Sequence, residues 1–133
     1  MRACLIRALS WLAPGLFAVG AALAADALPE QTNSAAGVMI TARPRALTGK
    51  VWEFEIALNT HSQDLKDDLS KSATLVAGGK TFVPAAWQGD PPGGHHRKGA
   101  LKFSAVDAGA QVIELRIARP GETEVRSFRW QIK

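Results

Sequence analysis

The chain has 133 residues, a formal net charge of +4 and a single cysteine. One cysteine excludes an internal disulfide, and the modest, interspersed charge excludes the basic stripe of a nucleic-acid or anionic-membrane binder. The length suits a leader and one small domain held by its apolar core alone.

The opening MRACLIRALSWLAPGLFAVGAALAAD sets Arg2 and Arg7 before an apolar run and closes on Ala22, Leu23 and Ala24, an A-x-A cleavage signal. That pattern predicts a signal peptide over residues 1–24 and a periplasmic or secreted protein. Pro14 and Gly15 interrupt the run, which favours cleavage over a retained membrane span. Cys4 leaves with the leader. What remains is 109 residues with a net charge of +2, since only Arg2 and Arg7 carry charge among the first 24. Residues 25–36, ADALPEQTNSAA, are small and polar without an apolar period and predict a flexible lead-in. The domain is expected over 37–133.

Short segments rich in Val, Ile, Phe and Trp then recur with turn signals between them. In GVMITAR, Val38 and Ile40 alternate against Met39 and Thr41. In KVWEFEIAL, Trp52, Phe54, Ile56 and Leu58 share a face opposite Glu53 and Glu55, the period of a half-buried strand. ATLVAGGKTFVPAAW predicts a hairpin turned at Gly78 and Gly79. ALKFSA, QVIELRIA and EVRSFRWQI follow, with Leu101 and Phe103, then Ile113, Leu115 and Ile117, then Phe128, Trp130 and Ile132 inward. The turns DAGAQ and RPGET join these three as a meander. The result is an all-β chain, an immunoglobulin-like sandwich of about seven strands with no disulfide, and a small open barrel as the fallback.

Two loops carry the chemistry. In NTHSQDLKDDLSKS, Thr60 and Gln63 have the spacing of a capping box, Asp64 suits the first turn of a helix, and Leu65 and Leu69 would pack that turn onto the sandwich. His61 stands there among Asp64, Asp67 and Asp68, a nitrogen donor with oxygen donors in reach. In GDPPGGHHRKG, prolines stiffen the approach and glycines permit a sharp turn. On a regular strand His95 and His96 point to opposite faces. Loops cluster at the ends of such a sandwich, so His61 can approach His95 and His96. Three imidazoles assisted by Asp64 or Asp68 are a donor set for copper or zinc. Beside Arg97 and Lys98 the same imidazoles could equally take an anion or pair with the acids. Met39, the one methionine after the leader, speaks against a methionine-rich Cu(I) carrier.

THSQDL, followed about thirty residues on by WQGDPPGGHHRKGALKF, resembles an uncharacterised family of small secreted or membrane-tethered prokaryotic β-sandwich domains with THSxDL and GGHHRxG motifs. The resemblance covers nearly all of the chain after the leader. It implies that Thr60, His61, Ser62, Asp64, Leu65, Trp87, Gly89, Gly93, Gly94, His95, His96, Arg97 and Gly99 form one pattern, either a binding site or a structural lock of the two loops. It implies no reaction.

Catalysis is not expected. Ser62 follows His61 directly, and no nucleophile elbow or orienting third group can be assembled around them. Trp52 and Trp130 are in phase with core faces, while Trp87 beside the Gly-Pro loop is more open. The sequence thus points to a secreted or periplasmic binding module for a divalent metal ion, copper or zinc, through His61, His95, His96, Asp64 and Asp68. Its alternative is a non-catalytic protein-interaction or envelope-assembly module, in which the histidine loops are structural and an envelope protein is the partner.

Overall fold

The computed structural model describes residues 28–104, 106 and 109–132. The expected signal peptide, with Cys4, lies outside them. Among the described residues, nine strands and one short helix follow in order: β1 Gln31–Ala35, β2 Val38–Ala46, β3 Val51–Thr60, α1 Leu69–Ser72, β4 Ala73–Ala77, β5 Lys80–Phe82, β6 Ala86–Gly89, β7 His96–Ser104, β8 Val112–Ile117 and β9 Arg126–Gln131. They form two antiparallel sheets, β1-β2-β3-β7-β6 and β5-β4-β8-β9, packed as a sandwich of the immunoglobulin-like kind.

The period-two patterns place the core where they predict it. Trp52, Phe54, Ile56 and Leu58 of β3 are buried, as are Leu101 and Phe103 of β7, Ile113, Leu115 and Ile117 of β8, and Phe128 and Trp130 of β9. Phe54 sits at the centre, edge-on to Phe103 at 5.8 Å and tilted against Trp130 at 5.7 Å between ring centroids. Such aromatic pairs add about 0.5–1.5 kcal/mol each to the burial of their surface.

Residues 31–35 are not a loose lead-in. They form β1, joined to β2 by a two-residue turn in which Ala36 (φ 49°) and Gly37 (φ 76°) both adopt left-handed backbone. That is the geometry of a type I′ hairpin. The strand owes its place to a side chain from the far end of the chain. Arg126, buried in β9, donates to the carbonyls of Asn33 (3.1 Å), Ala35 (2.7 Å) and Val38 (3.1 Å). Gln31 adds a bridge: its amide donates to the carbonyl of Arg129 and accepts from the Arg129 N–H at 3.0 Å. Trp130 Nε1 donates to the Pro29 carbonyl at 2.7 Å. Side chains therefore close one side of the sandwich.

A second departure concerns the last strands. β8 and β9 form the expected hairpin, but β7 pairs with β3 and β6 in the opposite sheet, so the chain crosses between sheets after Ser104 instead of continuing a meander. Val106 and Ala110 are buried in that crossing. β3 provides the long apolar partner that β7 matches residue for residue from Val51↔Ser104 to Asn59↔His96.

Candidate functional site: the two interlocked loops

β3 and β7 run antiparallel with Asn59 opposite His96, so the loop leaving β3 and the loop entering β7 lie at the same end. The expected approach of the two loops is therefore present, and the backbone ties them directly. Thr60 N–H donates to the His95 carbonyl (2.9 Å), Leu65 N–H to the Gly94 carbonyl (2.9 Å) and Gly93 N–H to the Leu65 carbonyl (2.7 Å). Asp64 Oδ1 accepts from Gly94 N–H at 2.7 Å.

The helical turn begins later than the capping-box reading predicts. Thr60 Oγ1 donates to the Gly37 carbonyl at 2.8 Å and accepts from Ser62 N–H at 3.3 Å. Gln63 reaches across to the Ala36 carbonyl. Both side chains thus hold the β1–β2 turn, which competes with capping. Asp68 caps instead, accepting from Ser70 N–H at 3.1 Å, and the helix is only Leu69–Ser72. Leu65 and Leu69 are fully buried as expected.

Arg97 organises the pair of loops from inside. It is 2 % exposed. Its guanidinium donates to the carbonyls of Asp67 (2.6 Å), Leu65 (3.3 Å) and Asp90 (3.3 Å), and it lies 5.7 Å from the ring centroid of Trp87. Trp87 is held in turn by Nε1 donating to the Asp90 carbonyl at 3.0 Å. The indole lies over a pair of glycines that face each other across β6 and β7. A Cβ on Gly99 would stand 2.7 Å from the indole Cζ2 and 2.6 Å from the Gly89 Cα. The spacing W-x-G and R-x-G is therefore explained by packing: ring on glycine, guanidinium on ring. Arg97 faces carbonyls and not solvent, so it is unavailable to an anion at the surface. This corrects the reading that grouped it with Lys98.

Asp67, 2 % exposed, carries the lock into the other sheet. Its carboxylate takes both Arg119 Nε (2.8 Å) and Nη2 (3.1 Å). Arg119 also meets Glu122 at 2.9 Å, and Glu122 meets Arg126 at 2.8 Å. A chain of charges thus runs from the loops to the β1–β2 turn.

The five residues selected as metal ligands divide into two groups. Asp64 is engaged by Gly94 N–H and Asp68 by the start of the helix. His61, His95 and His96 are exposed at the loop end. Among the described residues no three His, Cys, Asp or Glu side chains are grouped so as to hold a metal ion. His96 has a defined setting: its Nδ1 is 2.7 Å from Asn59 Oδ1. An amide oxygen only accepts, so Nδ1 carries the proton and, in the neutral ring, Nε2 keeps its lone pair. Asn59 escaped the sequence reading, although its outward phase at the end of β3 was visible there.

An open depression of about 430 Å³ lies beside these residues, lined by Ser34 to Met39 and by Asn59, Thr60 and His61. Among the described residues no helix is long and apolar enough to cross a membrane.

No family model and no curated protein sequence matches the chain. Among solved structures, the 1.5 Å crystal structure of MPT63, a secreted protein from Mycobacterium tuberculosis, is similar over 77 % of this chain and 92 % of that one, with 13 % sequence identity and a TM-score of 0.45.

Proposed function

We propose that this chain is an exported, non-catalytic binding module that uses the interlocked loop end as its binding face and its exposed imidazoles as ligands for a divalent ion, copper or zinc. Membership of the family with the THSxDL and GGHHRxG motifs belongs to the same proposal. The observation that carries it is His96, an exposed ring whose Nδ1 is engaged by Asn59, at the loop end it shares with the exposed His61 and His95. Metal-binding histidines are commonly oriented in this way, by a hydrogen bond from the second ring nitrogen.

Calorimetric titration of the untagged protein with Zn²⁺ and with Cu²⁺ tests the reading, alongside a variant with His61, His95 and His96 all replaced by alanine. Stoichiometric binding that disappears in the still-folded variant supports it. Absence of binding by either ion favours the second reading, a protein-interaction or envelope-assembly module. The specific observation behind that reading is the Asp64, Arg97 and Thr60 lock, which ties together the loops that expose the Pro91–Pro92 segment and the histidines.

A further inference from the structure

The edge strand β1 sits in a slot whose anchors all come from β2 and β9. β2 pairs with it along its whole length. From β9, Arg126 donates to the Asn33 and Ala35 carbonyls, the Arg129 N–H donates to Gln31, and Trp130 Nε1 donates to the Pro29 carbonyl. None of the five side chains of β1 is buried, and Leu28 just before it is half-buried against the core. Residues 28–35 thus form an arm recognised by polar groups at fixed positions, and the slot accepts this arm from any copy of the chain.

The joint between arm and body is short and strained. Only Ala36 and Gly37 connect β1 to β2, and both have left-handed backbone. Glycine adopts it freely, whereas an alanine Cβ crowds the following carbonyl; asparagine, aspartate or glycine is preferred there in a hairpin of this type. Two hydrogen bonds from the neighbouring loop hold the turn shut, Thr60 Oγ1 on the Gly37 carbonyl and the Gln63 amide on the Ala36 carbonyl. Short hinge loops under strain favour exchange of the element they carry between identical chains.

We propose that the partner of this edge is a second copy of the chain: the turn at Ala36 and Gly37 opens, and residues 28–35 of each copy occupy the β2–β9 slot of the other. The arm re-forms its contacts in the exchange, and the left-handed alanine is relieved. An opened hinge spans at most about 10 Å between Ala35 and Val38, so the loop ends of the two copies meet. His61 lines the same depression as Ala36 and Gly37 and therefore stands beside the twofold axis. Exchange pairs the two histidine-bearing ends, with or without a bound ion.

The test is sedimentation analysis of the untagged protein, concentrated and then diluted, beside Ala36→Asn, Gly37→Ala and Gln63→Ala, with thermal unfolding as the check of folding. A dimer is expected that outlasts dilution, because its return to monomer requires the arm to leave its slot. Ala36→Asn suits the closed turn and weakens the dimer about tenfold or more. Gly37→Ala puts a methyl group in left-handed backbone, 3.2 Å from Ser62 Oγ and 3.3 Å from Gln63 Nε2. It strengthens the dimer about tenfold or more. Gln63→Ala frees the Ala36 carbonyl and acts in the same direction, which covers a Gly37→Ala variant that fails to fold. Thr32 and Thr41 stand directly opposite each other in β1 and β2. A chain with Cys4→Ser and Thr32→Cys, mixed with one carrying Cys4→Ser and Thr41→Cys, should therefore form a mixed disulfide on oxidation. Monomers throughout, Gly37→Ala and Gln63→Ala included, a dimer indifferent to the turn variants, or a dimer without the mixed disulfide would overturn the inference.

Discussion

Asp67 and Arg119 meet in two parallel contacts inside the sandwich, at 2.8 and 3.1 Å, with side chains 2 % and 6 % exposed. They join the loop after β3 to the residues after β8, one from each sheet. Breaking a buried pair by removing one partner leaves an uncompensated charge and costs about 3–5 kcal/mol. Asp67→Asn should therefore lower the urea midpoint sharply, and the double variant with Arg119→Met should be less destabilised than Asp67→Asn alone. A loss below about 1 kcal/mol would assign the pair the weight of a solvated surface bridge.

The facing glycines of β6 and β7 give a second test. A methyl group at Gly99 would stand 2.8 Å from the Gln88 carbonyl and 2.7 Å from the Trp87 ring. One of these neighbours is backbone, so relief requires strand separation or a displaced indole. Gly99→Ala should cost about 1–3 kcal/mol, the usual range for overpacking. It should also shift the tryptophan emission, because Trp87 must leave the Arg97 guanidinium. Unchanged emission and stability would show that the edge strand adjusts freely.

Stability should fall in acid. The Glu114 carboxyl is held down to about 2, first by the hydrogen bond from Arg116 and also by Arg129, against the opposing effect of burial. Glu122 is lowered as well, mainly by Arg126 and then Arg119. Groups whose folded pKa lies below the unfolded value stabilise fully above the unfolded pKa and lose that contribution as pH falls towards the folded one. Denaturation midpoints should hold above the ordinary carboxylate value of 4.5 and decline towards pH 2. Glu114→Gln should make that decline shallower; an identical acid limb in the variant would refute the assignment.

Arg126→Lys is a further discriminating change. A lysine keeps the charge but loses the planar fork that reaches the Asn33, Ala35 and Val38 carbonyls together. Amide exchange across Asn33–Val38 should accelerate about tenfold or more, the consequence of losing roughly 1.4 kcal/mol of hydrogen bonding, while the β3 and β7 amides stay protected. Uniform acceleration throughout the domain would mean that β1 opens only with global unfolding.

Local pattern alone revealed β3, the Gly78–Gly79 hairpin and the β8–β9 pair, because each has alternating apolar residues or a turn within a few positions. β1 was hidden, since Gln31, Thr32, Asn33, Ser34 and Ala35 have no apolar period and depend on Arg126, 93 positions beyond Asn33. The meeting of the two histidine loops followed from the architecture. What became of their charged residues did not: Thr60 looks like a helix cap, Asp64 like a ligand and Arg97 like a surface cation. Each is engaged instead by backbone groups that only the folded chain brings near.

The closure by Gln31, Arg126 and Trp130 bears on where this protein can be cut. Composition places the domain boundary at Gly37, yet a fragment starting there would leave the nine-residue β2 and the six-residue β9 with bare edges. Such edges are templates for pairing with other chains. Of the four edge strands in the complete sandwich, β1 and β9 are bridged by these side chains, and β5 and β6 are only three and four residues long. The small polar segment thus acts as a selvedge, keeping the fabric from unravelling into its neighbours, and a vector that trims it would turn a well-behaved module into an aggregating one.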